Sequence, residues 1–150
     1  MMEKLEFTIE LNPITKKNHQ QIAKNKKTGA VFVVPSQEYK NYEYAAGFYL
    51  KGKGLNISEP VNVKAIYYME SRRRVDIANL HSCLHDILVK YEVLADDNAK
   101  IIVSTDESRV RYDRDHPRTE VVITPASEED AAEAAKFGTK KSSTKKEGIK

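Results

Sequence analysis

Residues 61–91 read VNVKAIYYMESRRRVDIANLHSCLHDILVKY, and the hydrophobic period changes once along them. Val61, Val63, Ala65 and Tyr67 stand at every second position, which places them on one face of a strand spanning Pro60 to Met69. The run Arg72-Arg73-Arg74 interrupts the pattern. Beyond it, Ile77, Leu80, Leu84, Ile87, Leu88 and Tyr91 recur at helical spacing. The spacing predicts a helix opened by Asp76 and ending near Tyr91. A buried strand, a basic connection and an amphipathic helix then form the centre of the fold.

Outward from this unit, Leu5 to Leu11 alternates as a strand does, and Pro13 ends it. The lysine-rich segment up to Gly29 reads as a loop. Ala30 to Val34 reads as a short strand after the turn signal Thr28-Gly29. Ser36 is placed to cap a helix reaching about Leu50, with Tyr39, Tyr42, Ala46 and Tyr49 as core contacts. Gly52 and Gly54 end it. Ile101 to Thr105 and Thr119 to Thr124 read as strands separated by an arginine-rich loop. The order of elements predicts an α+β fold, a small mixed β-sheet with two main helices. The expected organisation is one domain over residues 1–125 and a charged, flexible tail over 126–150. Within the tail, Ser127 to Phe137 is a short acidic helix candidate, and Gly138 to Lys150 has almost nothing to bury.

The chain has 150 residues, 40% of them hydrophobic and 31% charged, which suits one modest core. Cys83 is the single cysteine, so neither an intramolecular disulfide nor a Cys-rich zinc module can form. Met1 to Leu11 carries no signal-peptide pattern, and no apolar run is long enough to span a bilayer. The expectation is a cytoplasmic protein with no membrane partner. Net charge is +3, and its distribution says more. Lys16, Lys17, Lys24, Lys26 and Lys27 form one basic cluster, Arg72 to Arg74 a second, and Arg109, Arg111, Arg114 and Arg118 a third. Such clusters can neutralise a phosphate backbone.

The acidic residues between these clusters carry the candidate chemistry: Asp76, Asp86 and the pair Asp96-Asp97. Hydrolysing a phosphodiester without a covalent enzyme intermediate calls for hard divalent cations, which one or two carboxylates can hold. Local physics leaves a second role open. Asp76 with Asn79 three residues on suits a helix cap, and Asp96-Asp97 suits a turn. A helix rises about 1.5 Å per residue, so Asn79 lies about 4.5 Å along from Asp76 and can support the same site. Asp86 lies about 15 Å along and cannot share a metal with Asp76 of its own chain. His81 and His85 have a spacing that can bind zinc, but no metalloprotease glutamate stands between them, and they read as an ordinary helix flank.

Arg72-Arg73-Arg74-Val75-Asp76-Ile77-Ala78-Asn79-Leu80, followed by Asp96-Asp97, resembles the signature of the RusA-like Holliday-junction resolvases (crossover junction endodeoxyribonucleases). That signature is an arginine-rich stretch, Asp-x-Asp-Asn-Leu, a helix and an Asp-Asp pair. Pro13 to Lys17 resembles the family's basic opening, and the likeness spans roughly residues 5–124. It implies a homodimer that uses Mg²⁺ or Mn²⁺ to cut four-way DNA junctions in DNA recombination and repair. It also implies Asp76 and Asp97 as metal ligands and catalytic residues. Asp96 is the substitute ligand nearest to hand, and Asn79 supports catalysis. Lys16, Lys17, Arg72, Arg73 and Arg74 are the expected DNA-binding residues. Two positions depart from the pattern: the second carboxylate of the motif falls on Ala78, and its lysine falls on Ser82. A junction- or nucleic-acid-binding protein with weakened catalysis is therefore the alternative. A small domain whose basic loops bind RNA or a protein is a further one.

Overall fold

The computed structural model describes residues 3–15 and 20–138. The elements run β1 (Leu5–Ile9), β2 (Gln20–Lys24), β3 (Val31–Pro35), α1 (Gln37–Leu50), β4 (Val61–Met69), α2 (Ile77–Lys90), β5 (Ile102–Ser104), β6 (Arg109–Tyr112), β7 (Arg118–Pro125) and α3 (Glu128–Ala134). The main sheet has the order β1-β7-β4-β5, with β6 also paired to β4. β1, β7 and β4 are antiparallel neighbours, and β5 and β6 both run parallel to β4. The fold is α+β with a mixed sheet, as the periodicity predicts.

β4 is central because both of its edges are paired and one of its faces is wholly apolar. Val61, Val63, Ala65 and Tyr67 are buried, while the intervening residues are half-buried. The register sets Val63 opposite Ile123, Ala65 opposite Val121 and Tyr67 opposite Thr119, all buried, so the two strands present one continuous inner surface. Leu80, Leu84, Ile87 and Leu88 of α2 join the same core, each burial contributing roughly 1.5–3 kcal/mol. Ile77, the first residue of the predicted stripe, stays partly exposed.

α1 begins where Ser36 accepts a hydrogen bond from the Tyr39 N–H at 3.1 Å. It crosses α2 at a position that only glycine permits. A Cβ on Gly47 would lie 2.7 Å from the Tyr91 ring, whose hydroxyl donates to the Glu43 carbonyl at 2.9 Å. The Lys90–Glu43 ion pair, 2.9 Å, closes the same crossing.

Two segments expected as loops are strands. Gln20–Lys24 pairs antiparallel with β3, forming a two-stranded ribbon apart from the main sheet. Its polar residues hide the strand, because alternation is legible only where one face is buried. Arg109–Tyr112 is exposed throughout, yet it continues the outer edge of β4 beyond β5. Side chains fill the gap between β5 and β6. Asn62 Oδ1 accepts from Ser104 Oγ and from the Asp106 N–H, and Ser108 Oγ accepts from the Ala65 N–H.

α3 forms within the predicted range, with Ser127 accepting from the Asp130 N–H at 3.1 Å and Ala134 buried. Residues 139–150, the last part of the expected flexible tail, lie outside the described residues. Among the described residues no helix is long and apolar enough to cross a membrane.

Candidate active site

β4 ends at Met69 and α2 begins at Ile77, and the connection between them builds one wall of a cleft of about 430 Å³. Met69, Ser71, Arg73, Arg74 and Val75 belong to that wall, and Asn12, Pro13, Ile14 and Thr15 with Glu38 of α1 complete the lining. Asn12 ties the two walls together, its Oδ1 accepting from the Glu70 N–H at 2.9 Å. Arg72 turns elsewhere and stacks over the Tyr112 ring, 4.8 Å from its centroid. Lys16 and Lys17 follow Thr15 directly in sequence and lie outside the described residues.

Asp76 stands at the N-cap position of α2, exposed, with extended backbone angles suited to a cap. Its carboxylate accepts no capping hydrogen bond from a backbone N–H of the first turn. The contact it makes is to Asn79, whose Nδ2 lies 3.4 Å from Asp76 Oδ2. The pairing of Asp76 with Asn79 is thus side chain to side chain, and the cap expected of Asp76 does not form. The carboxylate is held but not consumed by the helix terminus. Ala78 is exposed in the same turn, and Ser82 is exposed one turn further on.

The other carboxylates gather at the far end of α2. The chain from Glu92 to Ala95 folds back on Leu88 and on Asn56–Ile57. Asp96 holds the turn there: Oδ1 accepts from the Asp97 N–H at 2.7 Å and Oδ2 from Asn98 Nδ2 at 3.0 Å. The Asp97 carboxyl titrates above its ordinary range, first because of partial burial and then because Asp86 and Asp96 crowd it with like charge. Asp86 is ten residues from Asp76 along the helix, about 15 Å of rise. One chain therefore sets Asp76 and Asp97 towards opposite ends of α2. Among the described residues no three His, Cys, Asp or Glu side chains come together as a metal site.

His81 and His85 stack face to face, centroids 5.4 Å apart and planes within 7°. Parallel rings do not converge on one ion. His81 Nδ1 is 2.7 Å from the Tyr67 hydroxyl, and burial lowers its pKa. Burial and the neighbouring His81 push His85 down to about 4, against an upward pull from Asp86. The pair is a neutral, half-buried flank of the core.

Of the third basic cluster, Arg118 is committed internally. It pairs with Asp113 at 3.1 Å and Glu120 at 2.9 Å and stacks on Tyr68. Sequence reading marked Pro13 to Lys17 only through the family resemblance, and it did not find the part played by Asn12 and Ser71 in the cleft. Such short polar and proline-containing runs carry no periodic signal.

An arginine-lined cleft at a strand-to-helix junction has the chemistry of a phosphate-handling α+β domain. Residues 10–124 match the family model described as Endodeoxyribonuclease RusA. The chain belongs to the RusA endodeoxyribonuclease family, whose activity is that of Holliday-junction resolvases acting on branched DNA. No curated protein matches the chain.

Proposed function

We propose that the chain is a Mg²⁺-dependent endonuclease that selects four-way DNA junctions by structure and cuts them as a homodimer, in DNA recombination and repair. The observation that carries this reading is Asp76. It occupies a cap position without acting as a cap, next to a cleft lined by Arg73 and Arg74. The oxygen donors suit a hard cation: Asp76 and Asp97 would hold Mg²⁺ or Mn²⁺, with Asp96 in support. A cation bound there supplies Lewis acidity towards a phosphoryl oxygen and a nucleophilic water at neutral pH.

The chain's own residues have separable tasks in this proposal. Arg73 and Arg74 grip backbone phosphates in the cleft, and Lys16 and Lys17 extend that contact. Asn79 orients the Asp76 carboxylate. The Asp96 turn orients Asp97, whose carboxyl is held above its ordinary range by partial burial and by the neighbouring Asp86 and Asp96. Because one chain holds Asp76 and Asp97 at opposite ends of α2, the metal set requires the second copy of the homodimer. The metal proposal and the dimer proposal thus stand or fall together.

The weakened, binding-only reading draws on Ala78 and Ser82, both exposed where the family motif carries a carboxylate and a lysine. Incubation of a synthetic four-way junction with the wild-type chain, with Mg²⁺ or with chelator, separates the two. Paired symmetric cuts in Mg²⁺ alone support the nuclease; a tight complex that leaves all strands whole supports the binding protein.

A further inference from the structure

The ribbon of β2 and β3 has no role in the cleft, and its composition is unusual. Residues 20–35 contain Lys24, Lys26 and Lys27 and no Asp or Glu. Among the described residues β2 pairs with β3 alone. An isolated two-stranded ribbon is marginal in water, and this one exposes apolar side chains on both faces. Ile22 is 77% exposed and Val31 66%, both on the face that carries Lys24; Phe32 is 47% exposed on the opposite face. The turn is nonetheless well built. Asn25 Oδ1 accepts from the N–H groups of Lys27 and Thr28, and the backbone of Asn25 bonds to Gly29 and Ala30. Gly29 supplies the positive φ, 77°, that closes it.

A preformed ribbon with a cationic tip and bare aliphatic and aromatic sides needs a partner that is both anionic and apolar. Nucleic acid at a branch point is such a partner: phosphates run along its edges, and its bases unstack at low cost. Protruding Ile and Phe side chains are the kind that wedge between base steps. A second copy of the chain is the poorer occupant, because a symmetric contact would press two tips of like charge together. From this geometry we infer that the β2–β3 ribbon is a DNA-engaging arm: Ile22 and Phe32 insert against unstacked bases at the branch point while Lys24, Lys26 and Lys27 hold the flanking phosphates. This inference rests on the branched-DNA reading above.

The test places 2-aminopurine at the branch point of a four-way junction and compares the full chain with Ile22→Ser/Phe32→Ser and with Lys26→Ala/Lys27→Ala. Insertion unstacks the probe, so wild-type binding should raise its fluorescence several-fold. The serine variant should bind the junction yet lose most of that rise, with the thermal midpoint unchanged because both side chains are exposed. The alanine variant should flatten the slope of log affinity against log salt by about 1.8, for two phosphate contacts. A full rise with the serine variant, bound as tightly as wild type, overturns the arm and leaves the junction reading intact. A serine variant that falls from dimer to monomer by light scattering, or melts earlier, makes the ribbon a protein-packing surface and overturns it equally. Failure of the wild-type chain to bind any branched DNA removes the underlying reading, and the arm with it.

Discussion

In the proposed reading a single carboxylate, Asp76, separates a nuclease site from a binding groove. Asp76→Asn keeps the shape and the Asn79 contact but removes a charge. It should lower junction cleavage at least a hundredfold and leave junction affinity within about threefold, as gel-based cleavage and binding assays would show. Asp97 offers a check that needs no turnover. Its pKa is raised by burial and by the like charges of Asp86 and Asp96, so a divalent cation should draw it down. Titration followed by NMR should show the Asp97 pKa falling when Mg²⁺ is added; an unmoved value would remove Asp97 from the metal set. His85 gives a pH dependence of stability. Its pKa is about 4 in the fold against an ordinary 6.5, so folding favours the neutral ring. Stability from this group is complete above pH 6.5 and is lost as pH falls towards 4, a loss on the order of 3 kcal/mol. Thermal midpoints measured from pH 7 to pH 4 should drop less steeply for His85→Gln than for wild type.

At the scale of elements, the crossing of α1 and α2 sets where the second helix points. Gly47→Ala would gain roughly 1 kcal/mol of helix propensity but force a methyl to within 2.7 Å of the Tyr91 ring. The clash should win, lowering the thermal midpoint by several degrees, and in a Tyr91→Ala background, itself less stable, adding Gly47→Ala should cost little or nothing further. A midpoint that rises in Gly47→Ala alone would show the crossing to be slack. The elements that form this core were legible in the sequence for one reason: each hides one face. Val61 to Tyr67 alternates and Leu80 to Leu88 recurs at helical spacing because β4 and α2 are each buried on a single side. Gln20–Lys24 and Arg109–Tyr112 left no such trace, since the ribbon is exposed on both faces and β6 is exposed throughout. The candidate site was legible in part for the same kind of reason. Residue types put Asp76 and the arginines in view, and the resemblance to the family signature singled them out as candidates. Neither could reveal that Asp76 fails to cap its helix, nor that Arg72 is stacked on Tyr112 while Arg73 and Arg74 face the cleft.

At the scale of the whole molecule, the long axis of α2 separates the carboxylates that the proposed chemistry must unite. With about 15 Å of helix between Asp76 and Asp86, and Asp97 beside Asp86, a second copy has to bring the two ends together. Light scattering should accordingly give twice the chain mass of 17.1 kDa, free and on junction DNA. The most direct test of the central claim, that Asp76 and Asp97 jointly hold the metal of a junction endonuclease, is Mg²⁺-dependent junction cleavage by an equimolar mixture of Asp76→Asn and Asp97→Asn chains. Each variant alone should be inactive. In a mixed dimer one composite site keeps both carboxylates, so the mixture should regain single-strand nicking at up to about a quarter of the wild-type rate, half of its dimers being mixed and each carrying one of two sites. Wild-type cleavage by either variant alone, or a mixture as inactive as its parts beside an active wild type, would contradict it.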